Sequence, residues 1–176
     1  MRLEAMNINS QGPFEVGQKV VSSSHGVGEI QGVEVNNYGD TQVSCYVINL
    51  INQKMSIKIP INKAIDCGLR PLTNADDIQE VYQVLKTKSC MSNYKSKVKK
   101  FTDYKQKLNS GNIIDLATVV RDLHKPDTIN SSYSQKSIYD SALTRLANEL
   151  ALLEGLKLNE MLANLEELLV AKGSDA

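Results

Sequence analysis

The sequence predicts an α+β protein, in which a small, strongly bent β-sheet or open barrel precedes an all-α bundle of about five helices. Three observations carry this. Short Val- and Ile-rich runs separated by turn clusters fill the first third of the chain. From Thr73 onward apolar residues recur at three- and four-residue spacing instead. Lysines crowd into one helical segment, although the chain as a whole balances 20 basic against 20 acidic side chains.

Residues 1–12 are polar overall and read as a tail. Strands are expected at Lys19–Ser22, Gly28–Val35, Gln42–Leu50 and Met55–Ile59, four or five in all. The turns between them are Ser24-His-Gly26, Asn36-Asn-Tyr-Gly-Asp40 and Asn52-Gln53. Ile30, Val33 and Val35 break alternation once, which places a bulge near Gly32. Lys58 points outward between Ile57 and Ile59, and Pro60 stops the strand. Strands this short and closely joined make a bent sheet over residues 13–72.

Helical periodicity then governs residues 73–172, with 173–176 left as a second tail. Thr73 and Asp76 have the spacing of a capping box with a shortened acid. Ile78, Val81, Tyr82 and Leu85 form the first stripe. A second helix runs from about Tyr94 until Asn109-Ser-Gly111 closes it in a left-handed cap. Ile113, Leu116, Ala117, Val120 and Leu123 form the third, stopped by Pro126. Tyr139, Ala142, Leu143, Leu146, Ala147, Leu150 and Leu153 form the fourth, and Gly155 breaks it. Met161, Leu162, Leu165, Leu168 and Leu169 form the fifth.

The second helix belongs to a basic segment. Lys86–Lys107 holds eight lysines in 22 residues, against the single acid Asp103. Tyr94, Val98, Phe101, Tyr104 and Leu108 line one face, and Lys95, Lys99, Lys100 and Lys107 point away from it. Lys97 is the exception, at the end of the apolar stripe. With few acids interleaved for i,i+4 pairing, the face suits the phosphates of duplex DNA. Little base specificity is expected, because lysine on phosphate positions a protein without reading sequence, and only four arginines exist (Arg2, Arg70, Arg121, Arg145). The competing reading is a helical protein–protein adaptor whose lysines are merely solvated.

Enzyme chemistry is not expected. The two histidines are explained by their places: His25 fixes a tight turn and His124 meets a helix C-terminus. Gly26-Val-Gly28 lacks the third glycine and following helix of a dinucleotide site. Cys45, Cys67 and Cys90 are odd in number, far apart, and read as free thiols of a reducing compartment. No metal or other cofactor is implied. No apolar run is long enough to span a bilayer and the start lacks a signal-peptide core, so a cytoplasmic protein without membrane contact is expected.

Several of these residues also resemble a known family. Phe14-Glu-Val-Gly-Gln-Lys-Val-Val21, Ser24-His-Gly-Val-Gly28 and Ile57-Lys-Ile-Pro60 are similar to the amino-terminal module of the CarD/CdnL bacterial transcription regulators. That module is also similar to the polymerase-binding part of transcription-repair coupling factor. Asn109-Ser-Gly-Asn112 and Val119-Val-Arg-Asp-Leu123 resemble the helical half of CarD, which favours that family. The resemblance implies a Tudor-like module that binds the lobe of the RNA polymerase β subunit. It also implies a helical domain on promoter DNA that stabilises the open complex, in a protein expected to be monomeric. By position, Lys58 matches a basic residue facing polymerase, and Asn36 falls where some members have a second basic contact. Lys99 and Lys100 match the basic pair following the DNA wedge, while Lys97 stands where well-known members carry tryptophan. Ser22-Ser23 replaces a frequent Tyr-Pro, a departure expected to loosen the turn before His25.

Overall fold

The computed structural model describes residues 12–38, 41–88, 97–124 and 133–171. Five strands form one antiparallel sheet in the order β4-β3-β2-β1-β5: β1 Lys19–Ser22, β2 Gly26–Tyr38, β3 Thr41–Leu50, β4 Ser56–Pro60 and β5 Leu69–Pro71. Five helices follow: α1 Ala75–Lys86, α2 Lys97–Ser110, α3 Ile113–Leu123, α4 Tyr133–Glu154 and α5 Leu158–Ala171. The α+β class and the order of sheet and helices are as the sequence predicts.

The bulge near Gly32 sets the face of the sheet. Ile30 pairs with Ile48 and Gly32 with Val47, so Gln31 is the extra residue. Ile30 and Val33, three apart, therefore both face the core with Tyr46, Ile48, Ile57 and Ile59. Phe14 closes this core: its amide donates to Tyr46 Oη (3.1 Å), Tyr46 Oη donates to its carbonyl (3.0 Å), and the rings meet edge-on. β4 covers β3 only from Cys45 to Asn49, and β1 covers β2 only from Gly26 to Glu29. The β2–β3 hairpin thus runs on as a two-stranded ribbon from Val35 and Ser44 to Tyr38 and Thr41.

The helices enclose a second core in which Val81, Leu85, Tyr104, Leu116, Val120, Leu146, Leu150, Met161 and Leu165 are buried. α4 is central and touches α2, α3, α5 and β2. Gly111 (φ +75°) ends α2 and Gly155 (φ +70°) ends α4, both in the left-handed region that favours glycine. The start of α1 differs from expectation. Asn74, not Thr73, is the N-cap, accepting from the Asp77 amide at 2.9 Å. Thr73 is drawn elsewhere, because its hydroxyl donates to Glu149 at 2.6 Å.

That bond belongs to the seam between sheet and helices. Arg70 of β5 lays a two-pronged fork on Glu149 of α4, with both N–O distances 2.8 Å. The Thr73 amide adds a bond at 3.2 Å, and Arg70 Nε donates to the Gly111 carbonyl. Glu149 is only 1% exposed, and these donors offset the cost of burying its carboxylate. Asn52 donates to Asn148 (2.7 Å), and Arg145 donates to the carbonyls of Ser23 (2.7 Å) and Leu108 (3.0 Å). Burial lowers the Arg145 pKa.

Ser23 is the centre of the seam. Its amide donates to the Gly68 carbonyl at 3.1 Å, a bond that proline could not make. Gly68 and Gly111 press on its side chain: a Cβ at Gly111 would lie 3.1 Å from Ser23 Cβ, and one at Gly68 would strike Ser23 Oγ. The turn expected to be loose is held from several sides.

Candidate polymerase and nucleic-acid interfaces

The sequence points to two sites, and they lie on different elements. On the sheet, Asn36 pairs with Val43, Glu34 with Cys45, and Lys58 with Val47. Strand alternation places Asn36, Glu34 and Lys58 together on the face opposite the Tyr46 core. The Lys58 ammonium lies 2.7 Å from the Glu34 carboxylate, and both side chains remain about half exposed. An ion pair this wet contributes little stability and is readily exchanged for a partner's charge.

On the helices, α2 supplies the basic surface. Its sequence KVKKFTDYKQKLNS carries five lysines and one acid, with no acid in the first turn. Tyr104 anchors the inner face. It is 1% exposed, and its hydroxyl lies 3.3 Å from Asp122, whose other oxygen accepts from Arg121 at 2.8 Å. Phe101 and Leu108 pack on the same core, whereas Val98, expected on that stripe, is 75% exposed. The first turn of α2 therefore reaches past the body that buries Tyr104.

Lys99 is exposed and Lys100 is half-buried, with its ammonium 5.7 Å from the Tyr104 ring centroid. Lys105 sits 4.9 Å from the Phe101 centroid, and Lys107 pairs with Asp103 at 3.4 Å. Lys95, the side chain of Lys97 and Tyr94 lie outside the described residues. Lysines in a first turn oppose the helix dipole, so their charge adds to that of the amide end and raises the local positive potential.

Sequence reasoning missed the residues joining the two sites: Arg70, Thr73, Arg145 and Glu149. One signal was available. Glu149 stands inside the apolar run Leu146-Ala-Asn-Glu-Leu-Ala-Leu-Leu153, and a carboxylate there requires a buried cation. Elsewhere, Ser22 Oγ lies 3.5 Å from His25 Nδ1 in the turn, and His124 Nδ1 lies 3.0 Å from Tyr139 Oη at the end of α3. Among the described residues no group of three or more potential ligands is placed to hold a metal ion. No described helix is long and apolar enough to cross a membrane.

Comparison with known proteins assigns both halves. Residues 14–81 match the CarD-like/TRCF RID domain, and residues 80–166 match the CarD C-terminal domain. The chain belongs to the CarD/CdnL family. One relative is "Putative transcription factor YdeB" of Bacillus subtilis (strain 168), 28% identical over 148 residues that cover 81% of this chain and 94% of the relative. This CarD-family protein is a transcription regulator that interacts with RNA polymerase, and the matched families are modules of transcription proteins, not enzymes.

Proposed function

We propose that this CarD-family protein joins RNA polymerase to promoter DNA and stabilises the open complex. In this reading residues 13–72 form the polymerase module and residues 73–172 the DNA module. The first docks on the lobe of the polymerase β subunit through the open edge of the β2–β3 ribbon and the face holding Asn36 and Lys58. The second lays α2 against phosphates at the upstream edge of the melted bubble through Lys95, Lys97, Lys99 and Lys100. The observation carrying the DNA contact is the charge of α2, five lysines to one acid with no acid in the first turn, where Lys99 is exposed.

Salt tests it directly. Fluorescence anisotropy on duplex DNA should give a log–log slope of about −4 to −6, as expected for four to seven phosphate contacts. Lys99→Glu with Lys100→Glu should flatten that slope by about 2. A slope near zero would leave a protein–protein adaptor with a solvated lysine face. On the polymerase side, the full chain should capture the β lobe and Lys58→Glu should weaken capture; equal capture removes Lys58 from the contact.

A wedge works by inserting an apolar plate at a distorted base step. Lysine at position 97 cannot do this, although its stem can lie on apolar surface while the ammonium reaches a phosphate. Open complexes should therefore be shorter-lived than with a ring at that position. Lys97→Trp should lengthen them, and no change would mean that phosphate contacts suffice.

A further inference from the structure

Among the described arginines, Arg70 grips the carboxylate of Glu149 and Arg121 that of Asp122. Arg145 of α4 grips neither carboxylate nor any other described acid. Its Nη1 donates to the carbonyls of Ser23 and Leu108, and burial alone lowers its pKa. The guanidinium is thus a half-buried charge that no described carboxylate compensates. With both Nη1 hydrogens used, the Nε–Nη2 edge is left, the edge shaped for two oxygens of a single anion. Among the described residues no buried side-chain nitrogen lacks a hydrogen-bond partner, so this bare edge reaches solvent.

An open cavity of about 360 Å³ adjoins Arg145 at the seam of sheet and helices. The turn Ser24–Val27 forms one wall, and Ser141, Thr144 and Arg145 of α4 form the other. The hydroxyls of Ser24, Ser141 and Thr144 and the Nε2 of His25 make no hydrogen bond among the described residues. Solvated donors grouped around an uncompensated cation suit an anion with several oxygens, which exchanges for their water. Asp140 also borders the cavity, but it is exposed and has no part in the shift at Arg145. The space exceeds a lone phosphate and falls at the lower end of small-molecule sites.

We infer that this cavity binds the phosphate group of a small phosphorylated metabolite, with the Nε–Nη2 edge of Arg145 and the hydroxyls of Ser24, Ser141 and Thr144 as its donors. Arg145 already links the sheet's turn at Ser23 to the end of α2 at Leu108. An anion on its remaining edge ties that turn to α4 more firmly. The consequence, which rests on the function proposed above, is that open complexes last longer when the site is filled.

Backbone amide chemical shifts of the full chain test the site itself, during titration with inorganic phosphate and then with a nucleoside monophosphate. Sodium chloride of equal ionic strength is the control. Shifts should saturate on the order of millimolar phosphate and centre on Gly26, Val27 and residues 141–148. A tighter nucleoside monophosphate shows that the rest of the cavity takes part. Thr144 is exposed, so Thr144→Glu should fold normally while bringing a carboxylate to the cavity and weakening binding about tenfold. Arg145→Lys, which keeps the charge and loses the fork, should weaken it similarly. An equal response to chloride, shifts confined to the lysines of α2, or saturation unaltered by Thr144→Glu overturns the inference. Open-complex lifetime with and without phosphate separates the two claims. Saturable binding with an unchanged lifetime keeps the site and overturns the coupling; a protein with no effect on the lifetime at all overturns the proposed function and leaves the site standing.

Discussion

Glu149 and Arg70 show how asymmetric one ion pair can be. The Glu149 side chain is 1% exposed and that of Arg70 is 26% exposed. Removing either partner leaves the other charge uncompensated, but only the carboxylate is then stranded away from water. Arg70→Ala should cost about 3–5 kcal/mol in urea unfolding, and Glu149→Ala distinctly less. Arg70→Met with Glu149→Leu should recover part of the loss, so a double-mutant cycle should return a large coupling. The same residues explain why the start of α1 was misjudged. Thr73 and Asp76 have cap spacing, but Thr73 is needed by a carboxylate 76 residues away, a demand that no local pattern reveals. Asn74, next in line, takes over the cap.

Individual elements were legible in proportion to how local their causes are. β1 matches its expected bounds, and the bulge follows from the three-residue spacing of Ile30 and Val33. β5, only Leu69–Pro71, exists because β1 offers it an edge, and three residues carry no periodicity to read. In α2 the stripe holds at Phe101, Tyr104 and Leu108 and fails at Val98, since periodicity cannot say where a helix outruns its neighbours. Tyr104→Ala should therefore cost about 3–5 kcal/mol, while Val98→Ala stays within about 0.5; chemical denaturation separates them. Two tyrosines of the bundle, Tyr82 of α1 and Tyr139 of α4, also predict alkaline lability. Burial pushes the Tyr139 pKa up to about 12, with Glu166 and Asp140 adding to the rise. Burial and then the hydrogen bond to Glu154 raise that of Tyr82. A phenol whose folded pKa exceeds its unfolded one adds stability that is intact below pH 10.0, the ordinary value, and is lost as pH climbs further. Thermal unfolding should thus drop above that pH, and less so in Tyr82→Phe and Tyr139→Phe.

At the scale of the molecule, a chain with no net charge keeps a strongly basic helix by segregating charge, not by accumulating it. The candidate sites on sheet and helix were legible because each is a local pattern: an outward lysine between isoleucines, and lysines without acids. Their mutual placement was not, because it depends on Arg145, which bonds at once to Ser23 in the sheet's turn and Leu108 near the end of α2. Gly111→Ala tests that placement. Its φ of +75° and the crowding by Ser23 should cost about 1–2 kcal/mol. Separate affinities for DNA and polymerase should change little while open-complex lifetime falls. The meeting of Gly68, Ser23 and Gly111 also bears on how such regulators diverge. In the proposed reading, lengthening a surface loop alters neither span nor angle between the two contacts, and a different reach would have to be retuned within this seam, where three small residues have almost no room to vary.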